Sequence, residues 1–152
     1  MLSFLKKKPM LDKKAQQVIV DAIKVAESNT SGEIRVFMEH HCTYMDAVVR
    51  AEEIFAKLEM NKTEAHNAIL IYVALTDRQF ALFGGKAIYE LAGGALFWDN
   101  AAKKLTGHLV KNEIAEGLAN CIKELGLALA THFPLTSTEN KNELPDEIVF
   151  GK

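Results

Sequence analysis

Apolar residues recur along this chain with two different periods. After Asp12, positions Ala15, Val18, Ile19, Ala22, Ile23 and Ala26 return every three or four residues, the spacing of one helix face. Asp12 is placed to cap that helix, because its short carboxylate can accept from a first-turn N–H. The segment "NTSG" (29–32) ends it, with Asn29 able to terminate a helix and Gly32 supplying permissive dihedrals. The period then falls to two. Ile34, Val36 and Met38 alternate with Glu33, Arg35, Phe37 and Glu39, as in a strand.

A second helix is predicted from Thr43, with Tyr44, Val48, Ala51, Phe55 and Leu58 as its apolar stripe. "NKTEAH" breaks that pattern. "NAILIYVAL" is then almost continuously apolar and rich in Ile and Val, which suits a central strand covered on both faces. The short "TDR" turn leads into "QFALFG", so a hairpin is expected from about Asn67 to Gly84. Helical patterns follow over 86–92, 96–110 and 113–132, the last with a stripe of Ile114, Leu118, Cys121, Ile122, Leu125 and Leu129.

This order predicts an α/β fold around a central mixed β-sheet. Two strands run parallel through a right-handed helical crossover, the hairpin strand runs antiparallel, and helices flank both faces. One more strand is available from "EIVF" (147–150), which can dock on the domain or pair with a sheet edge. The expected organisation is a loose lead-in over 1–10, one α/β domain over 11–134, and a polar, acidic tail over 135–152.

Composition narrows the function. At 152 residues and 49% hydrophobic content the chain can bury one substantial core. A net charge of -2 gives no basic excess for a nucleic-acid backbone. No apolar run approaches the roughly 18 residues of a membrane span, and the N-terminus lacks a signal peptide's order, so a cytoplasmic setting is expected. Cys42 and Cys121 are distant and have no CxxC spacing, which fits reduced thiols better than a disulfide framework.

The predicted topology sorts the polar residues onto two sheet edges. Glu39, His40, His41, Thr76, Asp77 and Arg78 gather at the carboxyl edge of the parallel strands. Ser31, Gly32, Glu33, His66, Asn67, Gly84, Gly85 and Lys86 gather at the opposite edge. The carboxyl edge is where open α/β sheets tend to bind ligands. There, however, "EHHC" offers only His40 and Cys42 on one side of an extended chain, short of the three or four ligands zinc requires. Asp77 reads as a turn residue whose neighbour Arg78 could assist a cation or phosphate site. At the other edge "FGGK" is not a Walker A loop, since Ala87 follows Lys86 where Ser or Thr is needed. Its glycines serve a strand-to-helix turn, whose amides with Lys86 could hold a weak anion. Phe97 and Trp98 read as core anchors, and His108 and His132 as single helical histidines.

"SGEIRVFME", "NKTEAHNAILIYVALTDRQFALFGGKAIYE", the "FW" of 97–98, "GLANCIKELGLALATHFP" and "NELPDEI" together resemble the TPM domain family, from about residue 12 onward. The resemblance implies a compact α/β domain with a mixed sheet. It also implies an association with acid phosphatase activity and with calcium or magnesium binding, while many bacterial members have no assigned activity. Two departures stand out. Bacterial relatives usually carry Arg-Asn before the central strand and Gly-Asp-Lys-Gly after the third, where this chain has His66-Asn67 and Gly84-Gly85-Lys86-Ala87. Gly85 thus lacks a carboxylate suited to hard cations, and His66 lacks a permanent bidentate charge.

The leading expectation is a protein that acts by binding, with weak divalent-cation affinity through Glu33, Asp77 or the acidic tail, and without efficient catalysis. The alternative is a metal-dependent phosphatase with Glu33, Asp77 and Asp99 as candidate ligands and Arg78 or Lys86 as phosphate clamp. One mononuclear site cannot use both Glu33 and Asp77, which fall at opposite strand ends. A third reading is a protein-interaction module using the tail or a sheet edge. No catalytic residue is assigned.

Overall fold

The computed structural model describes residues 10–44, 46–135 and 145–151. The expectations for residues 1–9 and 136–144 lie outside the described residues. Helix α1 (Lys13–Glu27) begins as predicted: Asp12 is its N-cap and accepts from the Ala15 N–H at 2.7 Å. Strand β1 (Glu33–Glu39) runs parallel to β2 (Ala68–Ala74) in register Glu33↔Ala68 through Glu39↔Ala74. β3 (Gln79–Gly84) returns antiparallel to β2, with Ala74 opposite Gln79 and Ile69 opposite Gly84. β4 (Val149–Phe150) adds to the free side of β1 in parallel, Phe37 opposite Val149. The sheet order is therefore β3-β2-β1-β4, and "EIVF" takes the edge-pairing alternative.

Helix α2 (Ala47–Lys57) begins later than the stripe suggested. Residues 40–42 are drawn into contacts with the β2–β3 turn, and Asp46 caps the helix by accepting from the Val48 N–H at 2.8 Å. The buried face is accordingly Ala51, Ile54 and Phe55, while Val48 is exposed. A short 3-10 turn (Met60–Lys62) leads to β2. Helices α3 (Lys86–Leu91), α4 (Gly94–Val110) and α5 (Ile114–His132) follow β3.

The alternation along the strands divides the core into two layers. Ile34, Val36, Met38, Ile69, Ile71 and Val73 face a layer formed by α1, α3, α4 and α5. Phe37, Ala68, Leu70, Tyr72 and Ala74 face the layer of α2 and Met60. Side chains such as Ile34, Ile69 and Ile71 are fully buried, and each such burial favours the folded state by about 1.5–3 kcal/mol. The polar positions of β1 are buried as well. Glu33, Arg35 and Glu39 are each 9% exposed or less, so their charges must be answered within the structure.

Candidate functional site

At the carboxyl edge, the short β2–β3 connection holds a compact polar cluster. Arg78 adopts a positive φ of 53°, which closes the turn. The Thr76 and Asp77 amides donate to the His40 carbonyl at 2.8 and 3.3 Å. Asp77 in turn accepts from the Cys42 amide at 2.7 Å and lies 2.9 Å from Nδ1 of His41. These two hydrogen bonds, His41 first, hold the Asp77 carboxyl below its usual range. Asp77 thus ties two loops together, its amide bonded to the His40 carbonyl and its carboxylate to His41 and the Cys42 amide.

One strand pair inward lies a second network. Arg50 of α2 forks onto Glu39 with Nε at 2.8 Å and Nη2 at 2.9 Å, and the Tyr72 hydroxyl donates to the same carboxylate at 2.5 Å. Glu53 joins through Arg50 and through the Tyr44 hydroxyl. Burial raises the Glu39 carboxyl, but Arg50 and Tyr72 outweigh it and bring it below the usual range. Burial and the hydrogen bond to Glu39 push the Tyr72 phenol the other way, upward. The charge-assisted hydrogen bonds of Arg50 and Tyr72 to Glu39 tie α2 to β1.

The opposite edge is built differently. The Gly85 amide donates to the Ala68 carbonyl at 2.8 Å, so it extends the β2–β3 ladder. A Cβ at Gly85 would stand 2.6 Å from the His66 carbonyl oxygen, and one at Gly84 would stand 2.8 Å from the Trp98 ring. Both glycines are therefore required by close approach. Asn67 is buried and its amide lies 3.4 Å from Ser31 Oγ. Lys86 and His66 are exposed beside a groove of about 500 Å³ that Phe55, Phe83 and Tyr89 also line. Lys86 and Arg78 stand at opposite ends of β3, so they do not clamp one anion together.

The same is true of the candidate cation ligands. Glu33 opens β1, Asp77 follows β2, and Asp99 is exposed on α4. The β1–β2 register puts Glu33 and Asp77 a full strand apart, roughly 20 Å at the usual rise per residue.

What the periodicities did not reveal is the company Glu33 keeps. Thr30 and Ser31 are pinned to the end of α5: Thr30 Oγ1 donates to the Phe133 carbonyl at 2.5 Å and the Ser31 amide at 3.0 Å. This pinned connection brings Glu27, the last residue of α1, over β1, where its carboxylate accepts from the Ile34 N–H at 2.8 Å. Because β4 runs parallel to β1, the residues before it arrive at the same edge, and Asp146 hydrogen-bonds Glu27. Burial, this bond to Asp146 and the nearby charges of Asp146 and Glu33 push the Glu27 carboxyl up to about 9. Burial lowers Arg35, which is answered by the charges of Glu33 and Glu147. Glu27 therefore faces Asp146 with Glu33 nearby, while Arg35 faces Glu33 and Glu147. The signals were the five-residue connection from Glu27 to Glu33 and the acid just before "EIVF", but their convergence depends on the parallel sense of β4.

The TPM domain family model matches residues 6–128. The NMR structure of BA42 protein from the psychrophilic bacterium Bizionia argentinensis is similar at 36% identity, covering 97% of this chain and 99% of that one, with a TM-score of 0.86. The solution structure of the N-terminal domain of cg2496 protein from Corynebacterium glutamicum shares the fold at 15% identity, covering 88% of this chain and 83% of that one, with a TM-score of 0.60. No curated relative matches the chain.

Proposed function

The chain belongs to the TPM domain family, and on that premise we propose that it acts by binding, taking a divalent cation of the calcium or magnesium class where α1, β1 and the tail meet. The observation that carries this reading is the half-buried Glu27 carboxyl hydrogen-bonded to Asp146 with Glu33 nearby, a setting that pushes it up to about 9. A half-buried carboxyl hydrogen-bonded to a second one is a poor place for charge and a good one for a hard cation, which replaces the Glu27 proton with two positive charges and takes oxygen ligands. Glu27 and Asp146 would be ligands, with Glu33 supporting from β1. Protein carboxylates supply only part of the shell such ions need, so water completes it and affinity is modest.

A shared phosphatase centre has less support. It would draw on Glu33, Asp77 and Asp99 together, and these stand at opposite ends of the sheet and on a separate helix.

Titration of the isotope-labelled chain with calcium and magnesium tests the proposal. Saturable amide shifts should centre on Glu27, Ile34 and residues 145–148, and Glu27→Gln should remove them. Shifts that never saturate, or binding unchanged in Glu27→Gln, would discard it.

A further inference from the structure

The turn between α4 and α5 carries a second donor set with different chemistry. Asn112 has a positive φ of 60°, its amide donates to the Leu109 carbonyl at 3.0 Å, and the Glu113 amide donates to the His108 carbonyl at 2.9 Å. This paired pattern is the Schellman ending of a helix, which brings the residue after the turn back beside the one in the last helical turn. An apolar pair usually fills those two places. Here they hold His108 and Glu113, with His108 Nδ1 2.9 Å from Glu113 Oε1. Glu116 lies one turn further along α5. Among the described residues, His108, Glu113 and Glu116 form the one group whose three donor atoms lie within 4.8 Å of one another.

Two neighbours fix the imidazole. A Cβ at Gly117 would stand 2.5 Å from His108 Cβ, so the bare glycine is what admits the histidine against α5. Asn120 lies 3.3 Å from His108 Nε2, on the ring edge away from the carboxylates. A polar partner on one ring nitrogen leaves the other directed at the ligand position, as at metal-bound histidines generally. The Asn120 amide nitrogen faces Nε2, so the ring carries its proton on Nδ1 toward Glu113; a metal at Nδ1 would replace that proton, with the Asn120 amide turned over to accept from Nε2. Beside the group opens a groove of about 540 Å³, lined by Lys111 and Lys123 among others.

We propose that His108, Glu113 and Glu116 form a zinc-class metal site at the α4–α5 turn. One imidazole nitrogen and two carboxylate oxygens suit a borderline divalent ion better than calcium or magnesium. Three protein ligands leave a fourth position for water. This site is separate from the acid pair at Glu27 and stands or falls independently of it.

Zinc titration of the full chain, with magnesium in excess and the histidine ring nitrogens observed by NMR, tests the assignment. One equivalent should bind, His108 Nδ1 should shift while the ring proton moves to Nε2, and Glu116→Gln should weaken binding by about tenfold or more. Glu116 is exposed, so that variant keeps the fold. Zinc affinity equal in Glu116→Gln and the parent chain would overturn the site, as would an ion that instead moves His41 or the Glu27 region. If neither the ring nor any amide of 108–120 responds to zinc, the group is a helix-ending ion pair only and the proposal fails.

Discussion

Glu27 and Gly85 show how single residues acquire meaning from their surroundings. In the unfolded chain a glutamate releases its proton near 4.5, whereas in the folded chain Glu27 keeps it up to about 9. Folding therefore takes up a proton between those values. The stabilisation is complete below 4.5, declines as pH rises through the window, and is gone above 9. Urea midpoints should fall from about pH 5 to about pH 9 in the parent chain, and this component of the fall should vanish in Glu27→Gln. Asp77 acts with the opposite sign: its carboxyl is held low by His41 and the Cys42 amide, so its contribution is lost only as pH falls below the usual carboxylate range. At Gly85 the His66 carbonyl occupies the space a side chain would need. Gly85→Asp should therefore cost about 1–3 kcal/mol in thermal or urea denaturation through forced backbone movement. Stability equal to the parent chain would show that the edge yields freely.

Between elements, much of the architecture was legible because burial imposes period. The α1 cap at Asp12, the hairpin and the α5 stripe all follow from local chemistry and facing packing. The start of α2 was not legible, since Asp77 captures the Cys42 amide and delays the helix to the cap at Asp46, a contact made across more than thirty residues. β4 was readable only as a candidate strand, for a two-residue ladder carries too little pattern to reveal its sense. Of the candidate site, the separation of Glu33 from Asp77 followed from strand order alone. The meeting of Glu27 with Asp146 did not, because it needs the parallel sense of β4. The tie between α2 and β1 is testable in the same terms. Arg50→Ala leaves Glu39 buried without its guanidinium, which should cost roughly 3–5 kcal/mol by chemical denaturation. Arg50→Lys keeps the charge but loses the fork, so it should fall between the two.

Over the whole molecule, a central sheet with helices on both faces separates its polar chemistry into distinct regions. The carboxyl edge is internally satisfied: Asp77 secures two loops, and Arg50 with Tyr72 answers Glu39. The amino edge of β1 is where charge is least at ease, because the tail returns there and sets Asp146 against Glu27. No described helix is long and apolar enough to cross a membrane. A cation at this edge would bridge the first helix and the last strand, tying together segments far apart in the chain.

The most direct measurement is the proton balance of calcium binding, obtained by calorimetry near neutral pH in buffers of different ionisation heat. If the ion displaces the proton held on Glu27, about one proton leaves per cation bound, and Glu27→Gln abolishes that release. Calcium bound with no proton released, and with affinity indifferent to pH, would contradict the account.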